Sequence, residues 1–256
     1  MARVIAVVNQ KGGTGKTTTS VNLACALAEK GKFVLLVDLD PQANAGSGLG
    51  IEADPKRGTL YNALIEGAAP SNLIYETNVE GSLHVIPAEQ DLSGGQIEMV
   101  NMEDREFLLK NALLEIRNDY DYIIIDCPPS LDLLTLNALT ASDEIIIPVQ
   151  CEYYALEGLS QLLNTIKLVK ENLHPDLKVL GALLTMYYRR IRLSEDVVSE
   201  VRNNFPYFVF KTVIPRNIRL AEAPSFGQSV LTLAGWSKGA KAYRKLADEV
   251  INTNAK

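Results

Sequence analysis

A chain of 256 residues with 47% hydrophobic and 22% charged side chains closes a large apolar core, which excludes a disordered or low-complexity protein. A formal net charge of −6 excludes a uniformly basic nucleic-acid protein, although residues 187–256 carry twelve Lys and Arg against six Asp and Glu and leave room for a local basic surface. Cys25, Cys127 and Cys151 are odd in number and lack C-x-x-C spacing, so they mark neither a disulfide framework nor a metal site, and a reducing cytoplasm fits them best.

In chain order, residues 3–8 form a Val/Ile run that Asn9 interrupts too soon for a signal peptide or membrane span, and they read as a buried strand. The string Lys11-Gly12-Gly13-Thr14-Gly15-Lys16-Thr17-Thr18 follows, and helical spacing then runs from Thr18 to Lys30. Strand, glycine loop and helix in that order make a phosphate cradle. Glycines let backbone N–H groups converge on phosphate oxygens, a lysine reaches the β- and γ-phosphates, and a hydroxyl ligates Mg²⁺. Lys16 and Thr17 hold those last two places. The usual P-loop glycine five positions before Gly15 is replaced by Gln10, and a second lysine, Lys11, comes next.

A second strand at 33–37 runs into Asp38-Leu39-Asp40-Pro41-Gln42, whose two acids point to opposite faces, so only one of them faces a reacting phosphate. Gly46, Gly48, Gly50, Pro55 and Gly58 make 41–60 a mobile loop. Further apolar runs at 83–86, 121–125, 144–149, 178–184 and 207–214 predict strands. Helical spacing covers Arg105–Arg117, Leu156–Leu173, Ser194–Asn203 and Lys238–Ile251. This alternation specifies one α/β domain over 1–256: a twisted, mostly parallel sheet covered by helices on both faces. The run at 121–125 ends in Asp126, and a carboxylate at a strand's carboxyl end is a suitable hard ligand for Mg²⁺ and its water shell. His84 and His174 are isolated, and no histidine chemistry is assigned.

The string from Lys11 to Thr18 resembles the deviant Walker A motif of the ParA/MinD family of P-loop ATPases. The strings Pro148-Val149-Gln150-Cys151-Glu152-Tyr153-Tyr154-Ala155-Leu156-Glu157-Gly158 and Val213-Ile214-Pro215-Arg216-Asn217-Ile218-Arg219-Leu220-Ala221-Glu222-Ala223-Pro224-Ser225 are similar to its chromosome-partitioning ParA (Soj) branch, and the likeness runs almost end to end. The resemblance implies ATP and Mg²⁺ as ligands, ATP hydrolysis, and a switch used in chromosome or plasmid partitioning. It assigns the phosphates to Lys11, Gly12, Gly13, Thr14, Gly15, Lys16, Thr17 and Thr18, the attacking water to Asp40, and the adenine to Pro215 and Asn217. Thr17 and Asp126 then serve the metal. Lys11 is expected to reach the partner's nucleotide across an ATP-sandwich homodimer, as an arginine finger does.

The same resemblance implies non-specific double-stranded DNA and a ParB-type protein as partners, with a cytoplasmic, nucleoid-associated location. Candidate phosphate contacts are Arg189, Arg190, Arg192, Arg216 and Arg219, together with Lys238, Lys241 and Lys245, which recur at helical spacing opposite Trp236, Tyr243, Leu246 and Val250. The chain begins at its first strand, without the operator-reading domain of larger plasmid relatives, so site-specific repression is not expected. A MinD-like membrane switch is the alternative. It needs an amphipathic C-terminal helix, whereas Glu249–Lys256 is polar, so no membrane partner is expected. An iron-protein reading would need Cys127 and Cys151 as cluster ligands, for which they lack support as a pair.

Overall fold

The computed structural model describes residues 1–79, 82–152 and 157–253. Its strands are β1 (Arg3–Val7), β2 (Val34–Asp38), β3 (Tyr75–Glu76), β4 (Leu83–Ile86), β5 (Tyr122–Asp126), β6 (Glu144–Gln150), β7 (Lys178–Tyr187) and β8 (Val209–Pro215). They join in one sheet in the order β3-β4-β2-β5-β1-β6-β7-β8. Only the short edge strand β3 runs antiparallel to its neighbour among these pairings. The helices are α1 (Lys16–Glu29), α2 (Asn44–Ser47), α3 (Leu60–Ile65), α4 (Leu92–Met99), α5 (Leu108–Leu114), α6 (Leu133–Ala141), α7 (Glu157–Asn172), α8 (Arg192–Asn204), α9 (Ile218–Glu222), α10 (Val230–Ala234) and α11 (Lys238–Asn252).

Central strands are apolar throughout because both faces are covered. Successive residues of β1 divide between two cores: Val4 and Ala6 enter one, Ile5 and Val7 the other. On the second face, Leu23 and Leu27 of α1 meet Tyr243, Leu246 and Val250 of α11. On the first face, α5, α6, α7 and α8 bring Leu109, Leu134, Leu162 and Val201. Arg3 fastens the chain's two ends together. Its guanidinium donates to Glu144 at 2.6 and 3.0 Å and to the carbonyls of Val250 at 2.6 Å and Thr253 at 3.0 Å.

Local departures have local causes. The helix expected over 105–117 shortens to α5 and a 3₁₀ turn at Arg117–Asp119. Helix α6 has no amphipathic stripe because it is buried nearly all round, and it starts where Asp132 accepts the N–H groups of Leu134 and Thr135. Helix α7 starts at Glu157, and the Leu156 at which it was expected to begin lies outside the described residues, as do Tyr153, Tyr154 and Ala155. Residues 41–60, read as a mobile loop, contain α2 and bury Ala45 and Leu49. Their glycines serve close packing as well as turning: a Cβ on Gly227 would sit 2.9 Å from the Cα of Gly50, and both residues have positive φ. No helix among the described residues is long and apolar enough to cross a membrane.

Ile124 is fully buried at the centre of β5, between β1 and β2. Ile124→Ala should therefore cost about 2–5 kcal/mol, partly as lost transfer energy and partly as the cavity left behind. A urea titration should show a lower midpoint with an unchanged slope.

Candidate nucleotide site

The loop after β1 lies where the strand order reverses, with β5 on one side of β1 and β6 on the other, and connections leaving such a point open a crevice at the strands' carboxyl ends. Gly13 and Gly15 hold φ of 74° and 89°, a region that L side chains seldom adopt, which explains glycine at both places. Hydrogen bonds from its own Asn9 and from neighbouring strands pin the loop. Asn9 Nδ2 donates to the Pro148 carbonyl at 2.7 Å, Asn9 Oδ1 accepts from the Lys11 N–H at 2.9 Å, and Thr185 Oγ1 donates to the Thr14 carbonyl at 2.8 Å.

Lys16 is only 6% exposed, and its ammonium donates to the Lys11 carbonyl at 3.2 Å. Burial lowers its pKa, and the charges of Asp126 and Asp40 oppose that shift. Asp126 is fully buried. Its Oδ1 accepts the Ser20 hydroxyl at 2.8 Å, whereas Oδ2 has no hydrogen-bond partner among the described residues. Burial raises its pKa against the Thr17 and Ser20 hydroxyls, which favour the anion. A buried, half-satisfied carboxylate beside a threonine hydroxyl is a donor set that fits Mg²⁺ and its waters.

The two acids of the second strand have different surroundings. Asp38 pairs in register with Asp126 across β2 and β5 and is fully buried. Its carboxylate accepts the N–H groups of Asp40 at 3.2 Å and of Ala45 and Gly46 at 2.9 Å each. Burial, then repulsion from Asp126, raises its pKa. Asp40 lies beyond it on the wall of a cavity of about 330 Å³, which is also lined by Gly12, Gly13, Gly15, Lys16, Thr17, Thr18, Gln42 and Asn44. Lys11 is exposed at this loop.

A second cavity, of about 340 Å³, adjoins the first. The two share Gly15, Thr18 and Met186. Pro215 and Asn217 line the second cavity with Ile214, Ile218, Leu220 and Tyr243, so its walls are largely apolar. Asn217 Oδ1 accepts the Arg219 N–H at 2.9 Å and caps α9 at the edge of this cavity. Sequence reasoning missed Thr185, Met186 and Tyr243, which lie far along the chain and reach the site only through the sheet and the packing of α11. It also passed over Gln42 and Asn44, although they directly follow Asp40.

Among the basic residues, Arg189, Arg190 and Arg192 are exposed at the junction of β7 and α8. Arg216 is exposed, and Arg219 pairs with Glu222 at 2.9 Å. Lys238, Lys241 and Lys245 line a groove of about 650 Å³ together with Lys211, a residue the sequence did not single out. Of the groove's two acids, Asp248 pairs with Lys30 at 2.6 Å, and Glu249 accepts the backbone N–H groups of Lys211 and Thr212 within the groove wall. Tyr243, Leu246 and Val250 form the buried face of α11 as expected, but Trp236 does not join them. It precedes the cap Ser237 and is 72% exposed.

A family profile described as an AAA domain matches residues 2–179. The chain is 56% identical over 250 residues to the sporulation initiation inhibitor protein Soj of Bacillus subtilis, covering 98% of both chains. It is 53% identical over 251 residues to the chromosome partitioning protein ParA of Myxococcus xanthus, covering 98% of this chain and 88% of that one. A crystal structure named as cobyrinic acid a,c-diamide synthase of Mycobacterium smegmatis, with bound ADP and magnesium, superposes with a TM-score of 0.86 at 41% identity and covers 98% of this chain and 94% of that one. With the glycine loop, the paired strand-end acids and the two joined cavities at the strands' carboxyl ends, the chain belongs to the ParA/Soj family of P-loop ATPases.

Proposed function

We propose that the chain is an ATP-hydrolysing switch for chromosome or plasmid partitioning, closing as an ATP-sandwich dimer that binds DNA without sequence preference. The observation that carries this reading is the pair of joined cavities, one polar with Lys16 and Asp40 on its wall, the other largely apolar beside Pro215 and Asn217. Together they have the chemistry of a nucleoside triphosphate: phosphates against the glycine loop, a flat base between apolar side chains.

Loop N–H groups from Gly12 to Thr18 and the Lys16 ammonium take the β- and γ-phosphates, at the positive end of α1. Thr17 and Asp126 would hold Mg²⁺, which supplies neutralising charge to the phosphate oxygens. Asp40 is the acceptor that orients the attacking water. Lys11, exposed at the rim, reaches the partner's phosphates. A dimer sets two copies of the exposed arginines and lysines side by side, so phosphate contacts double and affinity rises multiplicatively. Hydrolysis, stimulated by a ParB-type partner, separates the copies and releases DNA. The location is then cytoplasmic and on the nucleoid.

The synthase name of the structural neighbour favours a second reading, an ATP-dependent enzyme that activates a small carboxylate. The Myxococcus xanthus relative, at 53% identity, carries a partitioning name, and we give it more weight. DNA binding that follows nucleotide state separates the two readings.

Lys16→Ala should weaken ATP binding by about 3 kcal/mol, roughly a hundredfold, because a charged hydrogen bond to phosphate is lost; calorimetry measures it, and unchanged affinity would move the phosphates elsewhere. Asp40→Ala should keep ATP affinity and stop turnover, leaving a trapped ATP dimer visible by light scattering; a normal rate would assign the water to another group. Unrelated duplexes should bind comparably with ATP and poorly with ADP. Arg189→Ala combined with Arg190→Ala should lower the slope of log affinity against log salt by roughly two per protomer without preventing dimerisation. An unchanged slope would shift the surface to Arg216, Arg219 and the Lys238–Lys245 stripe, and equal binding in both nucleotides would end the switch reading.

A further inference from the structure

The turn after Asp40 has two side chains and one strained residue that the reading above does not use. Gln42 and Asn44 both line the phosphate cleft with Lys16 and Asp40. Both are exposed, and neither side-chain amide forms a hydrogen bond among the described residues. Between them Ala43 holds φ 52° and ψ 31°, a left-handed conformation on a residue with a Cβ. Such a backbone persists where its surroundings over-determine it.

Here the surroundings are two carboxylates and a carbonyl. Asp40 Oδ1 accepts the Gln42 N–H at 3.0 Å, and the Asp40 carbonyl accepts the Ala43 N–H at 2.8 Å. Just beyond, Asp38 Oδ2 accepts the N–H groups of Ala45 and Gly46 at 2.9 Å each. The turn is therefore tied to Asp40 at its start and to buried Asp38 at its end. With Ala43 left-handed between them, residues 42 and 44 both come to the cleft wall.

That placement answers a chemical need. In hydrolysis the water oxygen bonds to the γ-phosphorus, the bridging oxygen leaves with the bond's electron pair on ADP, and the water's proton ends on inorganic phosphate. The transferring group needs hydrogen-bond donors at its oxygens and an acceptor at the water. Lys16 and the loop N–H groups donate from the glycine side, while the Asp40 carboxylate only accepts. A carboxamide does both. We propose that Gln42 and Asn44 are positioning residues for the γ-phosphoryl group, their N–H groups on its oxygens and an amide carbonyl sharing the water with Asp40. This assignment rests on Asp40 facing that same water.

The test uses the full chain and compares Gln42→Ala, Asn44→Ala, the double variant, Asn44→Asp, Ala43→Gly and Asp40→Ala. Hydrolysis of Mg·ATP, ADP affinity and thermal midpoint are measured on each. The double variant should lose at least about tenfold in kcat with the KM for ATP changed by less than about threefold. ADP affinity and thermal midpoint should stay at wild type, since ADP lacks the γ group. Asn44→Asp, which keeps the size but loses the donor, should be as slow as Asn44→Ala. Ala43→Gly should hydrolyse at close to the wild-type rate, because glycine takes the same positive φ without strain and keeps the N–H bond to the Asp40 carbonyl. A double variant that hydrolyses at the wild-type rate while Asp40→Ala is inactive would overturn the proposal and leave Asp40 in place. Normal turnover in Asp40→Ala would remove the reading beneath it. Loss of ADP affinity together with a lowered thermal midpoint in Gln42→Ala and Asn44→Ala would make the pair structural and also overturn it.

Discussion

The site depends on three charged groups kept out of water within one patch: Lys16, Asp126 and Asp38. Burying any of them alone is costly, and each is held by partners aimed at it from different parts of the chain. Asp38 takes three backbone N–H groups, Asp126 takes the Ser20 hydroxyl, and Lys16 rests on the Lys11 carbonyl. Burial raises the pKa of both acids, and repulsion from Asp126 adds to that of Asp38, so the pair sheds part of its negative charge beside the ammonium; one Asp126 oxygen is left unsatisfied. In the proposed function, nucleotide and Mg²⁺ enter a site whose unsatisfied carboxylate oxygen suits a cation and whose lysine lies on the glycine loop. The protein's investment lies in that preorganisation, and the surrounding sheet is what keeps these charges from relaxing apart.

The parts legible in the sequence are those whose physics is local. The glycine loop could be read because positive φ, backbone N–H groups and a following helix all lie within eight residues. The central strands could be read because burial on both faces makes them continuously apolar. Helix α6 escaped because burial all round erases the amphipathic stripe that marks a helix. Thr185 and Met186 escaped because nothing around them in sequence relates them to Thr14 and Gly15; the pairing of β6 with β7 does that. Lys211 became part of a lysine groove only through the packing of α11 beside β8. The glycine-rich 41–60 segment misled for the opposite reason. Glycine marks close approach as well as freedom, and here Asp38 and the contact of Gly50 with Gly227 tie down residues 45–50 of the segment.

Strand β8 connects two surfaces with different chemistry. Its end supplies Pro215 to the apolar cavity beside the glycine loop, and the same residue borders the lysine groove. The β7 end does something similar: Met186, with φ of 54°, lines both cavities and leads three and four residues later to Arg189 and Arg190. Basic surface and cleft are thus neighbours along two adjacent strands.

The clasp made by Arg3 bears on how the chain is born. The first strand sits in the middle of the sheet, yet its arginine is satisfied by carbonyls of Val250 and Thr253. A ribosome delivers residues in order at about 5–20 per second, so this partner emerges many seconds after Arg3. Until α11 leaves the exit tunnel, the apolar side of α1 has no cover from Tyr243, Leu246 and Val250. Folding of that face therefore waits for α11, and the nascent chain passes through a stage in which its nucleotide loop has been made but the layer supporting α1 has not.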